Sequence, residues 1–243
     1  MDTVAARSVK RPRWRAYLLL SRISNLPTIW TNVLAGIVAA HAPVQWSVVA
    51  RVAAGVSLLY TAGMFLNDAF DRHIDAVERP DRPIPAGNVT ARAAFVSGFA
   101  MLAAGVLVVA MQTRFVAPLA WSLLLAAAIV RYNYHHKKNP LGPLVMGLCR
   151  GLVYCVAAAA AAVAVPRGVL VAALCLIAYV VGLTEVAKRI GPRAGVVVPL
   201  LIAGISLFDA GVIALSGGGI ALVALAAAGF PATLMLQRVV PGT

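Results

Sequence analysis

Long apolar runs separated by short polar stretches cover nearly the whole chain. Eight runs approach the length of about 20 residues that an α-helix needs to cross the hydrocarbon core of a bilayer. They cover roughly residues 17–40, 46–67, 91–111, 115–132, 141–164, 168–187, 195–215 and 219–237. The pattern predicts an all-α protein, a polytopic integral membrane bundle of about eight transmembrane helices.

Composition supports the same class. Of 243 residues, 61% are hydrophobic and 12% are charged, and the mean hydropathy is +0.88. Soluble globular domains carry about 25% charged residues. We therefore expect one membrane-embedded domain over residues 17–240, preceded by a basic, cytoplasmic segment over residues 1–16.

The polar connections between the runs fall into two classes, and basic residues are concentrated in one of them. Four connections are very short, and three are longer and polar, over 68–90, 133–140 and 188–194. The side of the termini and the longer connections holds seventeen of the 21 lysines and arginines, whereas the side of the short connections holds only Arg51, Arg114 and Arg167. Because basic residues collect on the cytoplasmic side of membrane proteins, the longer connections and both termini are predicted to be cytoplasmic.

The same asymmetry explains most of the net charge of +13. The expected partner is therefore the lipid bilayer, and no nucleic-acid partner is expected, since no basic helix with interleaved aromatic residues lies outside the apolar runs. The acidic connection 68–90 and the basic connection 188–194 occupy matching positions in two halves of four runs each. This order predicts two four-helix pseudo-repeats.

Five of the eight acidic residues lie in one short stretch after the second run, at Asp68, Asp71, Asp75, Glu78 and Asp81. At about 100° per residue on a helix, Asp68 and Asp75 fall roughly 20° apart and Asp71 about 60° away. The three carboxylates would therefore share one face. Because they repel one another, we expect a cation to neutralise them.

Two interpretations of this acidic face differ in which cation neutralises the carboxylates. Hard oxygen ligands suit Mg²⁺, which is usually held by one or two carboxylates together with substrate phosphates, and the amide oxygen of Asn67 could join them. This interpretation predicts a phosphate-bearing substrate handled at a membrane. The alternative is a solvated acidic loop that Arg72, Arg79 and Arg82 balance.

The acidic stretch resembles the first Asp-rich motif of the UbiA superfamily of membrane prenyltransferases. The similarity covers residues 67–75 and the Arg-Pro-Ile-Pro-Ala-Gly segment at 82–87. Three further segments resemble family signatures: residues 22–28 in the first helix, Tyr132 and Tyr134 with Lys137 and Lys138 after the fourth, and residues 141–151 at the start of the fifth.

The resemblance implies a mechanism and a central cavity between the helices. Mg²⁺ would bridge Asp68, Asp71 and Asp75 to a polyprenyl diphosphate, and an acceptor would capture an allylic carbocation in an apolar tunnel. Phosphate oxygens would be bound by Arg82, Lys137 and Lys138, the last as a catalytic residue. The presence of Lys137 and Lys138 is explained equally well by their predicted position on the cytoplasmic side, where basic residues collect. Further substrate contacts are expected from Arg22, Asn25, Asn67 and Tyr134.

The second Asp-rich motif of the family is altered in this chain. At the matching end of the sixth run, the sequence has one carboxylate, Glu185, followed by Lys188 and Arg189. One interpretation is that Lys188, as a catalytic residue, and Arg189 replace the second metal as diphosphate ligands, with Glu185 pairing with them or still holding metal. The other is that the site has lost the donor chemistry.

Polar residues inside apolar runs are functional candidates by default. We expect Arg150 to bind the acceptor or the diphosphate, or else to form a structural tie. Asn25 and Asn32 share a helix face and would line the cavity or bond across helices, as would Tyr154. Asp209 would lie near the short connections or pair with Arg114 or Arg167.

The leading hypothesis is an Mg²⁺-dependent intramembrane prenyltransferase that uses a polyprenyl diphosphate and an acceptor that no residue identifies. A membrane terpene cyclase would keep the fold and the ionisation step but quench the cation internally. A non-catalytic lipid-binding or scaffold protein of the same descent is the third hypothesis. The altered second motif and a count of eight runs, where the family usually has nine, favour it, and the intact first motif opposes it.

Overall fold

The structure, a computed structural model, describes residues 12–111, 116–135, 139–162 and 164–242. Lys137, Lys138 and Arg114, which the sequence suggested as possible phosphate ligands or ion-pair partners, lie outside these residues. The helices are α1 (Arg13–Ser21), α2 (Leu26–Ala39), α3 (Trp46–Glu78), α4 (Ala91–Ala110), α5 (Ala117–His135), α6 (Gly142–Ala161), α7 (Arg167–Arg189), α8 (Ala194–Leu215) and α9 (Ile220–Gln237).

The protein is an integral membrane bundle, as the apolar runs predicted. Six helices are long and apolar enough to cross a membrane by length and composition, namely α3, α4, α6, α7, α8 with its preceding turn, and α9. Helices α2 and α5 pack among them, so that the described part of the chain has eight main helices besides the short α1. No strand interrupts them within the described residues.

The first apolar run is two helices, and the prediction of one continuous helix over residues 17–40 was wrong. Arg22 ends α1 with a left-handed backbone (φ 44°, ψ 43°), and a 3₁₀ turn over Ile23–Asn25 leads into α2. Pro27 lies in the first turn of α2, where its missing N–H costs no hydrogen bond. The hydrophobic pattern could not reveal the break because both pieces are apolar.

The second run extends further than its apolar residues suggested. Helix α3 has 33 residues, a length of about 50 Å, whereas the hydrocarbon core is about 30 Å thick. Its last turns carry the acidic stretch, so the predicted loop over 68–90 begins as helix and becomes irregular only after Glu78. The acidic residues therefore lie on a rigid element.

Helix α2 lies at the centre of the bundle. Twelve of its fourteen residues are buried, as expected of a helix that is apolar on all sides. One face of α2 packs in a core with α3, α5 and α6, and the opposite face packs with α6 to α9. In chain order the helices fall into two groups of four, α2–α5 and α6–α9, but α2 and α6 each take part in both cores. The two four-helix pseudo-repeats therefore stay a prediction.

Small residues allow the helix backbones to approach closely. A Cβ atom on Gly36 of α2 would lie 2.8 Å from the backbone oxygen of Tyr154 in α6, and one on Gly105 of α4 would lie 2.7 Å from the backbone oxygen of Gly55 in α3. Such contacts are typical of helix packing in membranes, where van der Waals packing replaces the hydrophobic effect.

Candidate functional site

The three aspartates of α3 form a buried acidic face. Asp68, Asp71 and Asp75 are 4%, 5% and 1% exposed, and their position on one helical face confirms the prediction from spacing. Their burial on a helix contradicts the solvated loop of the alternative interpretation, but Arg82, one of its three proposed counter-ions, does pair with Asp68 and Asp75. Charges removed from water in this way require charged or hydrogen-bonding partners.

Arg82 supplies one partner from the segment after α3. Its Nη1 donates to Oδ2 of Asp75 at 2.8 Å and to Oδ1 of Asp68 at 3.2 Å. The segment is fixed by its own turns, in which the amide of Ala86 donates to the carbonyl of Arg82 and the amide of Asn88 donates to that of Pro83. The chain therefore folds back over the acidic face.

Arg22 supplies a second partner from the break between α1 and α2. Its Nη2 donates to Oδ1 of Asp68 at 2.9 Å. Arg72, suggested as a counter-ion in the alternative interpretation, instead donates to the carbonyl of Ala69 and lies over the ring of Phe95. The expected neutralising cation is provided in this structure by Arg22 and Arg82.

The acidic face has the donor chemistry that Mg²⁺ requires. Three carboxylates and the amide of Asn67 are hard oxygen ligands, and Oδ1 of Asp75 is buried without a hydrogen-bond partner within the described residues. The described residues contain no group of three His, Cys, Asp or Glu side chains arranged to hold a metal ion, and Arg82 bonds to both Asp68 and Asp75. The side chains have the chemistry of an Mg²⁺ site, and binding of the ion stays a prediction.

A central cavity of about 230 Å³ lies next to the acidic face. Its walls are mainly apolar and come from both groups of helices, while its polar groups include Arg22, Asn25, Asn67 and Arg150. Arg22 also lines the open, polar pocket that contains Asp68 and Arg82. Arg22 thus marks the junction between the acidic face and the apolar cavity.

Asn25 lies at one side of this junction and forms hydrogen bonds with other helices. Its Nδ2 donates to the hydroxyl of Tyr60 at 3.0 Å and to the carbonyl of Gly242 at 3.1 Å, and its Oδ1 accepts from Nε2 of Gln237 at 2.9 Å. The predicted cavity-lining position of Asn25 is therefore combined with bonds across helices, and the segment after α9 lies at the cavity wall.

Tyr134 and the altered second motif lie outside both the central cavity and the acidic pocket. Tyr134 is 67% exposed and packs edge-on against Phe70. At the end of α7, Glu185 pairs with Lys188 at 2.7 Å and with Arg189 at 3.9 Å; Lys188 and Arg189 are exposed, and Glu185 is half-buried. None of these four residues lines the cavity or the acidic pocket, and their contact with diphosphate stays a prediction.

Asp209 is the centre of a buried polar network, and the expected pairing with Arg167 was wrong. It is 0% exposed and is not paired with Arg167. Its carboxylate accepts hydrogen bonds from Thr31, Asn32 and Tyr154. The network joins α2, α6 and α8, and these donors replace the arginine that the sequence suggested.

Tyr154 belongs to that network rather than to the cavity wall. Its side chain is completely buried, and its hydroxyl donates to Oδ1 of Asp209. The expectation that Tyr154 contacts substrate is therefore replaced by an indirect connection, through Asp209 and Asn32. Arg150, in contrast, lines the cavity, and its Nη1 donates to Oδ1 of Asn32 at 3.0 Å.

Several lining residues were missed by the sequence analysis. Tyr60 and Met64 both face the cavity, as does Tyr132 of the signature after the fourth run. Tyr60 and Met64 precede Asp68 by eight and four residues, so helical spacing back from the acidic motif would have placed both on one side of α3. No comparable signal marks Cys149, which also lines the cavity.

Comparison with known proteins agrees with this architecture. The model of the UbiA prenyltransferase family matches residues 27–241. A digeranylgeranylglyceryl phosphate synthase from Methanopyrus kandleri is 36% identical over 128 residues, 52% of this chain and 46% of that protein. A 4-hydroxybenzoate octaprenyltransferase from Pectobacterium carotovorum is 40% identical over 100 residues, 37% of this chain and 33% of that protein.

The fold is also found among solved structures. A UbiA homolog from Aeropyrum pernix K1 superposes with a TM-score of 0.62 and 20% sequence identity, over 91% of this chain and 95% of that one. The sequence matches span less than two thirds of the two curated relatives, whereas the family model and the fold both cover nearly the whole chain. The chain belongs to the UbiA prenyltransferase family.

Proposed function

We propose that the protein transfers a prenyl group from a polyprenyl diphosphate to an acceptor within the membrane. One observation carries this proposal: a buried face of Asp68, Asp71 and Asp75, covered by arginines, adjoins an apolar cavity at Arg22. The arrangement suits a substrate with a charged head and an apolar tail. The names of the two relatives, a synthase of a geranylgeranylated lipid and an octaprenyltransferase, support the reaction class.

The diphosphate binds where the acidic face meets the two arginines. Asp68, Asp71, Asp75 and the amide of Asn67 would hold Mg²⁺, which supplies positive charge against the leaving diphosphate. When the donor binds, Arg82 and Arg22 release the carboxylate oxygens and contact phosphate oxygens instead. Guanidinium groups bind phosphate by paired hydrogen bonds. This exchange frees the carboxylates that the arginines occupy in this structure.

The prenyl chain enters the apolar cavity beside Arg22. The apolar walls exclude water, which protects an allylic cation from hydrolysis until the acceptor captures it. The face of an aromatic ring, such as that of Tyr132, attracts positive charge in such a setting. The residues of this chain therefore bind, orient and shield, and the departing diphosphate takes the bonding electrons.

The acidic pocket faces the cytoplasm in this proposal. Seventeen of the 21 lysines and arginines belong to the side of the termini and the longer connections, and this asymmetry supports a cytoplasmic position for these parts. A diphosphate made in the cytoplasm would then reach the site without crossing the membrane.

Diphosphate release from the purified protein tests the reaction. Geranyl, farnesyl and geranylgeranyl diphosphate are supplied in turn, with and without Mg²⁺, and with and without a membrane lipid extract. Release that needs both Mg²⁺ and extract is expected, and labelled product identifies the acceptor. Release without extract, giving a cyclic hydrocarbon, indicates a terpene cyclase, and donor binding without release under any condition indicates a non-catalytic protein.

Asp68→Asn and Asp71→Asn test the role of the acidic face. Each change should abolish Mg²⁺-dependent donor binding while leaving the helical bundle folded, because amide groups are weaker metal ligands of nearly the same shape. Asp2→Asn removes the same charge from the amino-terminal segment and should weaken donor binding much less. Undiminished binding in both variants of α3 contradicts the metal-bridging assignment.

A further inference from the structure

We propose that the segment after α9, residues 238–242, is a strap that closes the junction between the acidic pocket and the central cavity and opens when the donor is exchanged. The inference rests on the proposed prenyl transfer and adds a control of access to the same site. Asn25 is the latch of this strap, a positioning residue that acts through the segment it holds.

The strap lies along both compartments of the site. Pro241 lines the acidic pocket that contains Asp68 and Arg82, and the next residue, Gly242, lines the apolar cavity. Arg22 lines both. A donor with its head in the pocket and its chain in the cavity is continuous across the junction, so the bond between them lies beside Pro241 and Gly242. The strap therefore covers the position where this bond breaks in the proposed reaction.

The strap is stiff and is joined to the end of α9. The amides of Val239 and Val240 both donate to the carbonyl of Leu236, at 3.0 and 2.9 Å, which turns the chain away from the helix. Val240 is 6% exposed. The ring of Pro241 fixes its own φ and restricts the backbone of the residue before it. The strap therefore moves as one unit rather than residue by residue.

The amide group of Asn25 latches the strap. Its Nδ2 donates to the carbonyl of Gly242 at 3.1 Å and to the hydroxyl of Tyr60 at 3.0 Å, so both of its N–H donors are used. Its Oδ1 accepts from Nε2 of Gln237 at 2.9 Å. In this structure Asn25 therefore connects the strap to α3 and to α9.

The latch is weak enough to open. A single hydrogen bond joins Asn25 to the strap itself, and Oε1 of Gln237 is buried without a hydrogen-bond partner within the described residues. A buried acceptor without a donor costs free energy in the closed arrangement. Segments held by few bonds open locally while the rest of a protein stays folded. The strap can therefore open without disturbing the packed helices.

A closed strap controls which molecule captures the cation. When the bond to the diphosphate breaks, the electron pair leaves with the diphosphate and an allylic cation remains. Attack by water, followed by loss of a proton, gives a prenyl alcohol, whereas attack by the acceptor gives the transferred product. The strap keeps water of the acidic pocket away from the cation, so loosening it should increase the alcohol at the expense of transfer.

Gly242→Ala loosens the latch with one methyl group. A Cβ atom on Gly242 would lie 2.5 Å from Oδ1 of Asn25 and 3.0 Å from Nε2 of Gln237. The φ angle of Gly242 is not positive, so alanine fits the backbone and the change acts through the methyl contact. Gly195→Ala in the first turn of α8 is the matched control, because its Cβ would meet nothing within 4 Å.

Labelling of a cysteine at the buried position of Val240 measures opening without turnover. In Val240→Cys a water-soluble maleimide reaches the thiol only when the strap opens, and mass spectrometry of the peptide distinguishes this thiol from the native cysteines. Gly242→Ala should speed labelling about fivefold to tenfold, the factor for the loss of about one hydrogen bond. Gly195→Ala should not change it. Equal labelling rates with Gly242→Ala and with Gly195→Ala overturn the latch.

A bound donor should hold the strap closed. Farnesyl thiodiphosphate, an unreactive analogue, should slow labelling of Val240→Cys about threefold or more in the presence of Mg²⁺, because a ligand that packs beneath the strap stabilises the closed arrangement by mass action. Faster labelling would mean that the donor displaces the segment, and unchanged labelling with bound analogue would mean that the segment does not cover the donor. Either result overturns the strap.

Product partition separates a strap from a merely structural segment. With geranylgeranyl diphosphate, Mg²⁺ and membrane lipid extract, Gly242→Ala should raise the ratio of geranylgeraniol to transferred product about fivefold to tenfold. Asn25→Ala should act similarly, and the double variant should add nothing, because both changes open one latch. An equal loss of both products overturns the proposal. Failure of the unaltered protein to release diphosphate disproves prenyl transfer, whereas the labelling rates still decide the latch.

Discussion

The Nη2 atom of Arg22 lies 2.9 Å from Oδ1 of Asp68. This ion pair ties the break between α1 and α2 to the helical extension of α3 that carries the acidic face. Arg22 also lines both the polar pocket and the apolar cavity. The left-handed backbone at Arg22, which is uncommon for a residue with a side chain, therefore occurs where the head and the tail of a prenyl donor would meet.

A double-mutant cycle should reveal coupling between these two residues. Arg22→Gln leaves the buried carboxylate of Asp68 with Arg82 alone, and Asp68→Asn removes the charge that needs a partner. We expect a coupling energy of about 1–3 kcal/mol in the free energy of unfolding. Arg51→Gln is the control, since Arg51 is exposed and, within the described residues, donates to the carbonyl of Ser47 rather than to a carboxylate. Additive effects of the two changes would contradict the coupling.

Arg82 should contribute more to donor binding than any exposed arginine. Arg82→Gln removes the group that contacts Asp68 and Asp75 and that we assign to the phosphates, so the Kd for farnesyl diphosphate in the presence of Mg²⁺ should rise about tenfold to a hundredfold. Arg82→Lys should give a smaller rise because a single ammonium group cannot form paired bonds. Equilibrium binding of labelled donor measures both.

The control for Arg82 is Arg92→Gln. Arg92 lies in the first turn of α4 and is exposed, so its loss changes the net charge equally without touching the acidic face. A Kd that rises as much in Arg92→Gln as in Arg82→Gln would mean that the overall positive charge, rather than Arg82, attracts the donor.

Gly36 should be intolerant of any side chain. In Gly36→Ala the new methyl group would meet the backbone of Tyr154 at 2.8 Å, and backbone cannot move aside without shifting α2 from α6. Overpacking of this kind costs about 1–3 kcal/mol. Gly211→Ala in α8 is the matched control because its Cβ would meet nothing within 4 Å. Equal unfolding temperatures for the two variants would disagree with the packing described.

Lys188 tests the altered second motif. If Lys188 binds the donor in place of a second metal, Lys188→Asp should weaken donor binding. The effect should be a few-fold, since exposed ion pairs contribute roughly 0.2–1 kcal/mol. Arg193→Asp makes the same charge change at an exposed position in the following turn. Tighter donor binding in Lys188→Asp that requires additional Mg²⁺ would show instead that this end of α7 is a metal site that has lost carboxylate ligands.

The sequence predicted the architecture well because lipid imposes a simple rule. Apolar runs of sufficient length must be helices, and the acidic residues at positions 68, 71 and 75 could share a face only on a helix. The structure confirms both. The break at Arg22 was missed because hydropathy contains no information on backbone direction. The boundary of the second run was set too early, at residue 67, because only apolar residues were counted, although the spacing of the aspartates indicated that the helix continues.

The details of the site depended on distant contacts that no local pattern contains. Asp209 is separated from Thr31 by 178 positions, and the sequence offered arginines as partners where the structure uses a hydroxyl, an amide and a phenol. Arg82 was expected to bind an anion, and in this structure that anion is the acidic face itself. Spacing along one helix predicts neighbours on that helix, but it does not predict which helix packs against it.

The central position of α2 has a consequence for how the protein is made. With fourteen residues, α2 is short for spanning a bilayer by itself, and its tightest contact is with α6, which begins only at Gly142. During synthesis the ribosome releases α2 long before that partner exists. Helix α2 can therefore reach its final packed position, and Thr31 and Asn32 can form their hydrogen bonds to Asp209, only after the second half of the chain has entered the membrane.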